Sequence, residues 1–318
     1  MNIFKHSFEN MTKEDAEVLG EYFDGFDYRG AGYTFLSNYI WRNTYCLCWE
    51  VIGDYLCLAG ADCMITDKPN AIISMPMTRN GAYDPAGLRE TVLEAKRRFE
   101  ARKIPFSIVL VPGHMVQYLE EAFPGQMTFV HDRDNDEYVY LKDKLITLRG
   151  RALHKKKNHM NYFLKNYAYT AETITRDMEE EIMEFTARSR ENKGYDADEM
   201  ESLYMEEEAI REILQLIDRP KIYSVAVRIN GVLQGFAIGE LINGDTAAEH
   251  FEKANEDYRG LYQVVCSEFC KMLPENIVYV NREEDMGLEN LRQAKEALKP
   301  NHMEEKYSGC FLQTDVVL

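Results

Sequence analysis

Charged side chains suited to proton transfer recur at two nearby places in the C-terminal part of the chain. One is the run HFEKANEDYRGLYQ, which begins at His250, and the other is NREEDMG, which follows Val280. Strand alternation over Thr246–Lys253 places His250 and Glu252 on one face, where they form a candidate catalytic acid/base pair. An exposed polar strand face, or an ion pair of Glu252 with Arg282, explains the same pattern, because perturbed carboxylates are often structural.

Polar residues come directly after the apolar run NIVYV, which is predicted to be a buried strand. Open α/β sheets bind ligands at this end of their strands. We therefore interpret Asn281 and Arg282 as substrate-binding residues, with Arg282 able to hold a phosphate or carboxylate through two hydrogen bonds. Glu284 and Asp285 either belong to the same site or place favourable charge at the start of the next helix.

A turn between a strand and a helix is the second candidate binding element. An acyl-coenzyme A site would need Arg or Gln followed by x-x-G-x-G or x-x-G-x-A, because successive backbone amides cradle the pyrophosphate. The chain offers only a shorter set there, preceded by the acidic Glu256 and Asp257. Acyl-CoA remains the one cofactor considered, and the residues that would bind it or another donor are Tyr258, Arg259, Gly260 and Gln263.

A basic segment, LRGRALHKKKNHMNYFLKNY, lies near the middle of the chain. Leu153, Met160, Leu164 and Tyr167 recur at helical spacing and predict an apolar stripe. Lysines interrupt that stripe, which indicates that one end of the helix packs while the other meets an anion. The predicted substrate-binding residues here are Lys155, Lys156, Lys157 and His159. A solvated helix between domains is the alternative interpretation, since most charge runs are solvated faces.

The formal net charge of -17 limits which binding partners are compatible with this segment. A strongly acidic chain repels phosphate on average, which argues against binding duplex DNA or coating an anionic membrane, although a local basic patch can still bind an extended anion. The sequence shows neither a signal peptide nor a long apolar span, so we expect a cytoplasmic protein without stable membrane insertion. The 7 cysteines lack zinc-site spacing, and no metal is predicted.

The order of predicted elements repeats after about 150 residues, as expected for a duplicated unit. Each half is predicted to contain a strand, two helices, three antiparallel strands, a helix, a strand, a helix and closing strands. The closing strands are QMTFV and EYVYL in the first half and KYSGCFL in the second. We expect residues 1–147 and 168–318 to form two α/β domains, joined by the basic helix at 148–167. Predicted core residues are Tyr39, Phe106, Val109, Ile238 and Val278.

This order resembles two tandem GNAT-like acyltransferase domains with mixed, mostly antiparallel sheets. The basic segment, HFEKANEDYRGLYQ and VNREEDMGLENLRQAKEALKP are similar to the C-terminal domain family of phosphatidylglycerol lysyltransferases, which is related to the Fem aminoacyltransferases. Family members with a membrane synthase half transfer an aminoacyl group from tRNA to a lipid. The resemblance therefore implies an acyl- or aminoacyltransferase, with aminoacyl-tRNA or another extended anion as donor, and it leaves the acceptor open.

Two other functional classes fit the same residues. A GNAT fold that lost its donor loop would be a non-catalytic binding module, because a fold does not determine a function. An acyl-CoA-dependent N-acetyltransferase is the third class, although the shortened glycine turn weighs against it. Binding of acyl-CoA, aminoacyl-tRNA or neither separates the three classes.

Overall fold

The computed structural model describes residues 8–26, 28–61, 71–190 and 196–312 of the 318-residue chain. The chain forms two compact units, the first made of Met1–Asp136 and Glu304–Leu318 and the second of Glu137–Met303. This division differs from the expected ranges, because the basic helix lies within the second unit. In the part of the chain that the structure describes, none of the helices combines the length and the apolar character needed to cross a membrane.

Short strands and four α-helices are described in the chain before Asp136. The strands are β1 Glu9–Asn10, β2 Cys48–Ile52, β3 Tyr55–Ala61, β4 Ala71–Ile73, β5 Met77–Thr78, β6 Ile108–Pro112 and β7 Met127–His131. The helices are α1 Ala16–Gly25, α2 Phe35–Ile40, α3 Pro85–Glu100 and α4 Val116–Ala122.

The chain after Asp136 contains several longer strands. Its strands are β8 Glu137–Leu141, β9 Tyr169–Glu172, β10 Ile222–Ile229, β11 Val232–Leu241, β12 Thr246–Ala254, β13 Tyr279–Asn281, β14 His302–Glu304 and β15 Lys306–Phe311. The helices of this part are α5 Lys142–Thr147, α6 His154–Asn166, α7 Glu179–Arg190, α8 Ala197–Leu214, α9 Leu261–Met272 and α10 Glu289–Glu296.

Both units have the same sheet order. The first sheet runs β1-β2-β3-β4-β6-β15-β7, with β5 also paired to β3, and the second, read in the same direction, runs β9-β10-β11-β12-β13-β8-β14. In each sheet the fourth and fifth strands are parallel, and the fifth and sixth are antiparallel. The predicted α/β fold of two similar GNAT-like units is therefore confirmed.

The sixth strand of each sheet comes from a distant part of the chain. β8 was expected to close the first half, but it pairs with β13 in the second sheet, where Tyr140 lies opposite Val280. β15 was expected to close the second half, but it lies between β6 and β7 in the first sheet. Sequence order could not reveal this exchange, because strand pairing depends on long-range contacts rather than on proximity along the chain.

Local sequence signals account for several boundaries. Asp84 caps α3 by accepting a hydrogen bond from the Gly87 backbone N–H at 2.7 Å, and Pro85 occupies the first turn, where no N–H is needed. Asp196 and Glu199 form a capping box at the start of α8. Asn230 and Gly231 both have positive φ angles, of 52° and 78°, in the predicted turn between β10 and β11.

The core of the second unit lies between α9 and the sheet. Val264, Val265 and Phe269 of α9 are fully buried there. Of the predicted core residues, Tyr39 and Ile238 are buried, whereas Phe106 and Val109 are only partly buried. The prediction for Val278 is wrong, since 45% of it is exposed. It precedes β13, and its neighbours Ile277 and Val280 are the residues that turn inward.

Candidate active site

The parallel strands of the second unit part at the place where the predicted site residues lie. The register of β12 and β13 pairs Thr246 with Tyr279 and ends where Ala248 lies opposite Asn281. Residues 249–252 continue along β12, while residues 282 and 283 leave β13 in a turn. We call the space between these two segments the strand gap. Charged side chains from both segments enter it.

A β-bulge interrupts the alternation of β12. The register with β11 passes from Glu249, opposite Gly239, to Phe251, opposite Ile238, and leaves His250 as the extra residue. A bulge shifts the following side chains to the other face of a strand. His250 and Glu252 therefore do not share a face, contrary to the expected alternation, and Glu249 lies with Glu252 instead. The catalytic role of His250 and Glu252 stays a prediction.

Arg282 joins these two glutamates. Its Nε contacts the carboxylate of Glu249, and its terminal Nη2 contacts that of Glu252, so the ion pair weighed in the sequence analysis is present. Burial raises the pKa of Glu249, and it raises that of Glu252 to about 8, because the attraction of Arg282 only partly offsets the loss of water. Two buried carboxylates share one guanidinium, so the cluster can hold a proton near neutral pH.

A metal ion is a poor explanation of this cluster. Ligand atoms of Glu249, Glu252 and Cys266 lie within 4.8 Å of one another. The guanidinium of Arg282, however, already contacts both carboxylates and supplies the positive charge. A hydrogen bond with Cys270 and burial raise the pKa of the Cys266 thiol, which disfavours the thiolate that metals bind.

His250 lies in a separate ion cluster. Its Nδ1 is 2.7 Å from Glu283 Oε1, and its Nε2 is 3.1 Å from Glu240 Oε1. Burial by itself would lower the pKa of His250, but the hydrogen bonds to Glu240 and Glu283 outweigh it and raise the pKa to about 10. Near neutral pH the imidazole is therefore protonated and donates through both nitrogens. Such a group cannot accept a proton, so this geometry does not fit a general base.

The side-chain amide of Asn281 is engaged within the protein. Its Nδ2 donates to Glu137 Oε2 at 2.5 Å, and its Oδ1 accepts from the backbone N–H of Glu283 at 2.8 Å. The side chain is fully buried. Asn281 therefore shapes the turn that brings Arg282 and Glu283 into the strand gap.

The start of α9 is covered by α6. Gly260 has a φ of +96°, and a Cβ at this position would lie 2.1 Å from the carbonyl oxygen of His159. The backbone of α6 thus lies directly against the turn that was predicted to bind a donor. Phe163 is the buried residue of this contact, whereas Leu164, which was assigned to the apolar stripe, is 45% exposed.

Two of the other predicted donor-binding residues also contact α6 or the segment after it. The ring of Tyr258 packs edge-on against the ring of Tyr167, with 5.0 Å between the ring centroids. The guanidinium of Arg259 lies 5.3 Å from the ring centroid of Tyr162. Gln263 is partly buried on the first turn of α9. These contacts leave a packed junction rather than an open cradle of backbone amides.

Positive charge on α6 acts on the Glu252 carboxyl. Lys156 is partly buried, and its charge counteracts the rise in the pKa of the Glu252 carboxyl. Burial lowers the pKa of His159, and the nearby charges of Arg259, Lys155 and Lys156 lower it further. Lys156 therefore belongs to the surroundings of Glu252.

The predicted substrate-binding role of Lys155, Lys156, Lys157 and His159 stays a prediction. Lys155 is exposed and Lys157 partly buried, and the structure describes no contact of either with Arg282. An open groove of about 480 Å³ lies elsewhere, on α7 and α8, and is lined by Arg176, Asp177, Glu179, Glu180, Met183, Glu184 and Arg211.

The corresponding gap of the first unit is filled by an uncharged side chain. β4 and β6 pair where Ile73 lies opposite Ile108. Just beyond, the Tyr33 hydroxyl donates to the Leu110 carbonyl at 2.8 Å and accepts from the Met75 N–H at 3.2 Å. Tyr33 is buried. Tyr33 thus takes the place that charged side chains occupy in the second unit.

Comparison with known proteins identifies a matching protein family and solved structures of similar fold. The family model described as "Phosphatidylglycerol lysyltransferase, C-terminal" matches residues 25–309. An uncharacterized protein of Mycoplasmoides gallisepticum is 28% identical over 180 residues, a match that covers 56% of each chain, so the chain spans about half the length of this curated relative.

Two solved structures are similar over nearly the whole chain. A conserved protein of unknown function from Bacteroides thetaiotaomicron has a TM-score of 0.85 and 28% identity, with 96% of this chain and 99% of that one covered. L-PGS from Bacillus licheniformis has a TM-score of 0.65 and 11% identity, with 98% and 95% covered. The second likeness is one of fold alone.

Proposed function

The chain belongs to the phosphatidylglycerol lysyltransferase C-terminal family, and on that premise we propose that it is an aminoacyltransferase whose reaction takes place in the strand gap of the second unit. The donor is aminoacyl-tRNA, and the acceptor is an amine or a hydroxyl. The observation that carries the proposal is Glu252, a buried carboxyl that contacts Arg282 and is also influenced by the charge of Lys156.

The pKa of Glu252, raised by burial to about 8, suits a general base, because proton transfer is most efficient when the pKa of the base lies near the working pH. Glu252 takes the proton of the acceptor as its nitrogen or oxygen attacks the aminoacyl ester carbon. The bond from that carbon to the tRNA ribose oxygen then breaks, and the proton passes to this oxygen. Arg282 keeps the carboxylate in place during both transfers.

Two features of the α6–α9 junction support a donor other than acyl-CoA. The backbone of α6 lies against Gly260, where a pyrophosphate would need free amides. Glu256 and Asp257 are exposed just before that turn, and their charge disfavours a phosphate there. A longer anion avoids both obstacles when Lys155 and Lys156 hold it.

Transfer of a labelled amino acid tests the proposal. Aminoacyl-tRNAs are incubated with the protein and with soluble amines, alcohols or phosphatidylglycerol vesicles, and labelled product is counted. We expect product with the wild type and a fall of about 10²-fold or more in Glu252→Gln, the usual effect of removing a general base. Glu256→Gln removes an exposed carboxylate from the neighbouring turn and is the matched control. If Glu252→Gln transferred the amino acid as fast as the wild type, Glu252 would not be the general base.

A non-catalytic binding protein is the second candidate, and one observation favours it. The side chain of Arg282 reaches both glutamates and so fills part of the space that a substrate would enter. Binding of aminoacyl-tRNA without product, for every acceptor in the assay, would select this candidate.

A further inference from the structure

The turn after β13 holds an unfavourable backbone conformation. Glu283 has a φ of +58° and Met286 a φ of +52°. Left-handed conformations are disfavoured for residues with a Cβ, and they persist only where the surrounding structure enforces them. Glu283 is also the residue that contacts His250. Some feature of the second unit must therefore fix this turn.

Lys295 of α10 makes two of the contacts that fix it, in addition to those from the Asn281 side chain and the Tyr138 backbone. Its Nζ donates to the Arg282 carbonyl oxygen at 2.6 Å and also donates to the carbonyl oxygen of Glu284. These carbonyls belong to the residues on either side of Glu283. A lysine ammonium has three donors and no acceptor, so one group can bind both carbonyls at once.

The helix that carries Lys295 is itself anchored. The Tyr140 hydroxyl of β8 donates to the Lys295 carbonyl oxygen at 2.7 Å. On the same turn, Asp285 accepts a hydrogen bond from the Tyr138 hydroxyl at 2.6 Å and pairs with Arg292 of α10 at 2.8 Å. Two strand tyrosines and two helix side chains thus connect the turn, β8 and α10.

We propose that Lys295 is a positioning residue of the strand gap. Its ammonium clamps the carbonyls that flank Glu283, and this directs the Glu283 carboxylate to His250 and the Arg282 guanidinium to Glu249 and Glu252. The consequence for transfer rests on the proposed function, but the positioning itself stands on these contacts alone.

Titration of His250 separates positioning from a simple charge effect. Lys295 faces Arg282, Glu283, Glu284 and Asp285. Removing a positive charge from these surroundings leaves the pKa of His250 unchanged or raises it, because a nearby positive charge disfavours the imidazolium. Loss of the clamp moves the Glu283 carboxylate away from Nδ1, which lowers the pKa of His250. The two explanations therefore predict shifts of opposite sign.

The experiment follows the His250 imidazole by NMR from pH 5 to 11 in protein with labelled histidine. We expect the pKa of His250 to fall by about one unit or more in Lys295→Met and in the reference Glu283→Gln, since a lost carboxylate partner has an effect of this size. Lys295→Arg keeps donors for both carbonyls and should stay near the wild type. Lys271→Met removes an exposed ammonium from α9 and should not shift the titration.

An unchanged or raised pKa of His250 in folded Lys295→Met would overturn the proposal. If that variant does not fold, Lys295→Gln retains one amide donor, and a fall between those of Lys295→Arg and Glu283→Gln is expected. No fall in Lys295→Gln would equally overturn it. In the transfer assay, Lys295→Met should lower kcat more than it changes KM. Should no aminoacyl donor react at all, the proposed function fails, while the titration still decides the role of Lys295.

Discussion

Nδ1 of His250 lies 2.7 Å from a carboxylate oxygen of Glu283, across the point where β12 and β13 part. Glu240 holds the other ring nitrogen, so the imidazolium is bound on both sides. Buried charges are stable only when they are paired and hydrogen-bonded, and this cluster meets that condition. His250 thus joins two chain segments that diverge, which fits a structural role beside the reacting groups.

His250→Gln should remove a pH-dependent part of the stability. The folded pKa of His250 is about 10, above the ordinary value of 6.5. Its contribution to stability is therefore fully present below pH 6.5 and is lost as the pH rises through 10. Urea unfolding of the wild type and the variant between pH 6 and 10 should show a difference in free energy of unfolding that shrinks with rising pH.

His154→Gln is the control for this series, because His154 is exposed at the start of α6. It should match the wild type within about 0.5 kcal/mol throughout. If the difference in free energy of unfolding between the wild type and His250→Gln stayed constant across the whole pH range, His250 would not be charged in the folded protein.

Asp285→Asn should destabilise the second unit by about 3 kcal/mol, since it leaves Arg292 without its buried partner. Burial would raise the pKa of Asp285, but its hydrogen bonds from Arg292 and Tyr138 hold it well below the usual range. The stabilising effect is thus present above about pH 4 and is lost in acid. Chemical unfolding at pH 7 measures it, with the exposed Asp257→Asn as control. Equal effects of the two substitutions would count against the anchoring role of Asp285.

Gly260→Ala tests the packing of α6 on α9. The new Cβ would lie 2.1 Å from a backbone oxygen, and the φ of +96° disfavours alanine in any case. We expect a loss of at least about 2 kcal/mol in the free energy of unfolding, the sum of strain and steric conflict. Gly231→Ala is the matched control, because Gly231 also has a positive φ but no atom within 4 Å of an added Cβ. Its cost should be about 1 kcal/mol. Similar losses for both glycines would show that the α6 contact is loose.

Much of the fold could be predicted because its signals are local. Helix caps such as Asp84 and the Asn230–Gly231 turn appear in short windows of sequence, and the repeated order of elements indicates duplication. The exchange of β8 and β15 could not be predicted, since a strand of alternating residues does not encode its distant partner. Both strands look like closing strands of the half in which they occur.

The position of the candidate site and the Glu252–Arg282 ion pair could be anticipated from the sequence, but the part of Glu249 could not. His250, Glu252 and Arg282 do lie around one gap, yet the bulge at His250 changes which side chains meet. One signal was available. Gly239 stands inside the apolar strand β11, and a Cβ there would lie 1.9 Å from the Ala248 carbonyl oxygen, so this glycine marks a close approach beside the bulge. Lys295 carried no such signal, because a lysine on a short amphipathic helix normally faces water.

Binding of the two donor classes to wild type and Lys156→Glu tests the central claim most directly. Acetyl-CoA and aminoacyl-tRNA are titrated separately at several salt concentrations, with Lys271→Glu as a variant of equal charge change on α9. We predict that aminoacyl-tRNA binds the wild type and Lys271→Glu with a steep salt dependence, through counterion release. Lys156→Glu should bind it about tenfold more weakly, with a shallower salt dependence. The account would be contradicted if acetyl-CoA bound tightly, with the same affinity for the wild type and Lys156→Glu, and aminoacyl-tRNA did not bind.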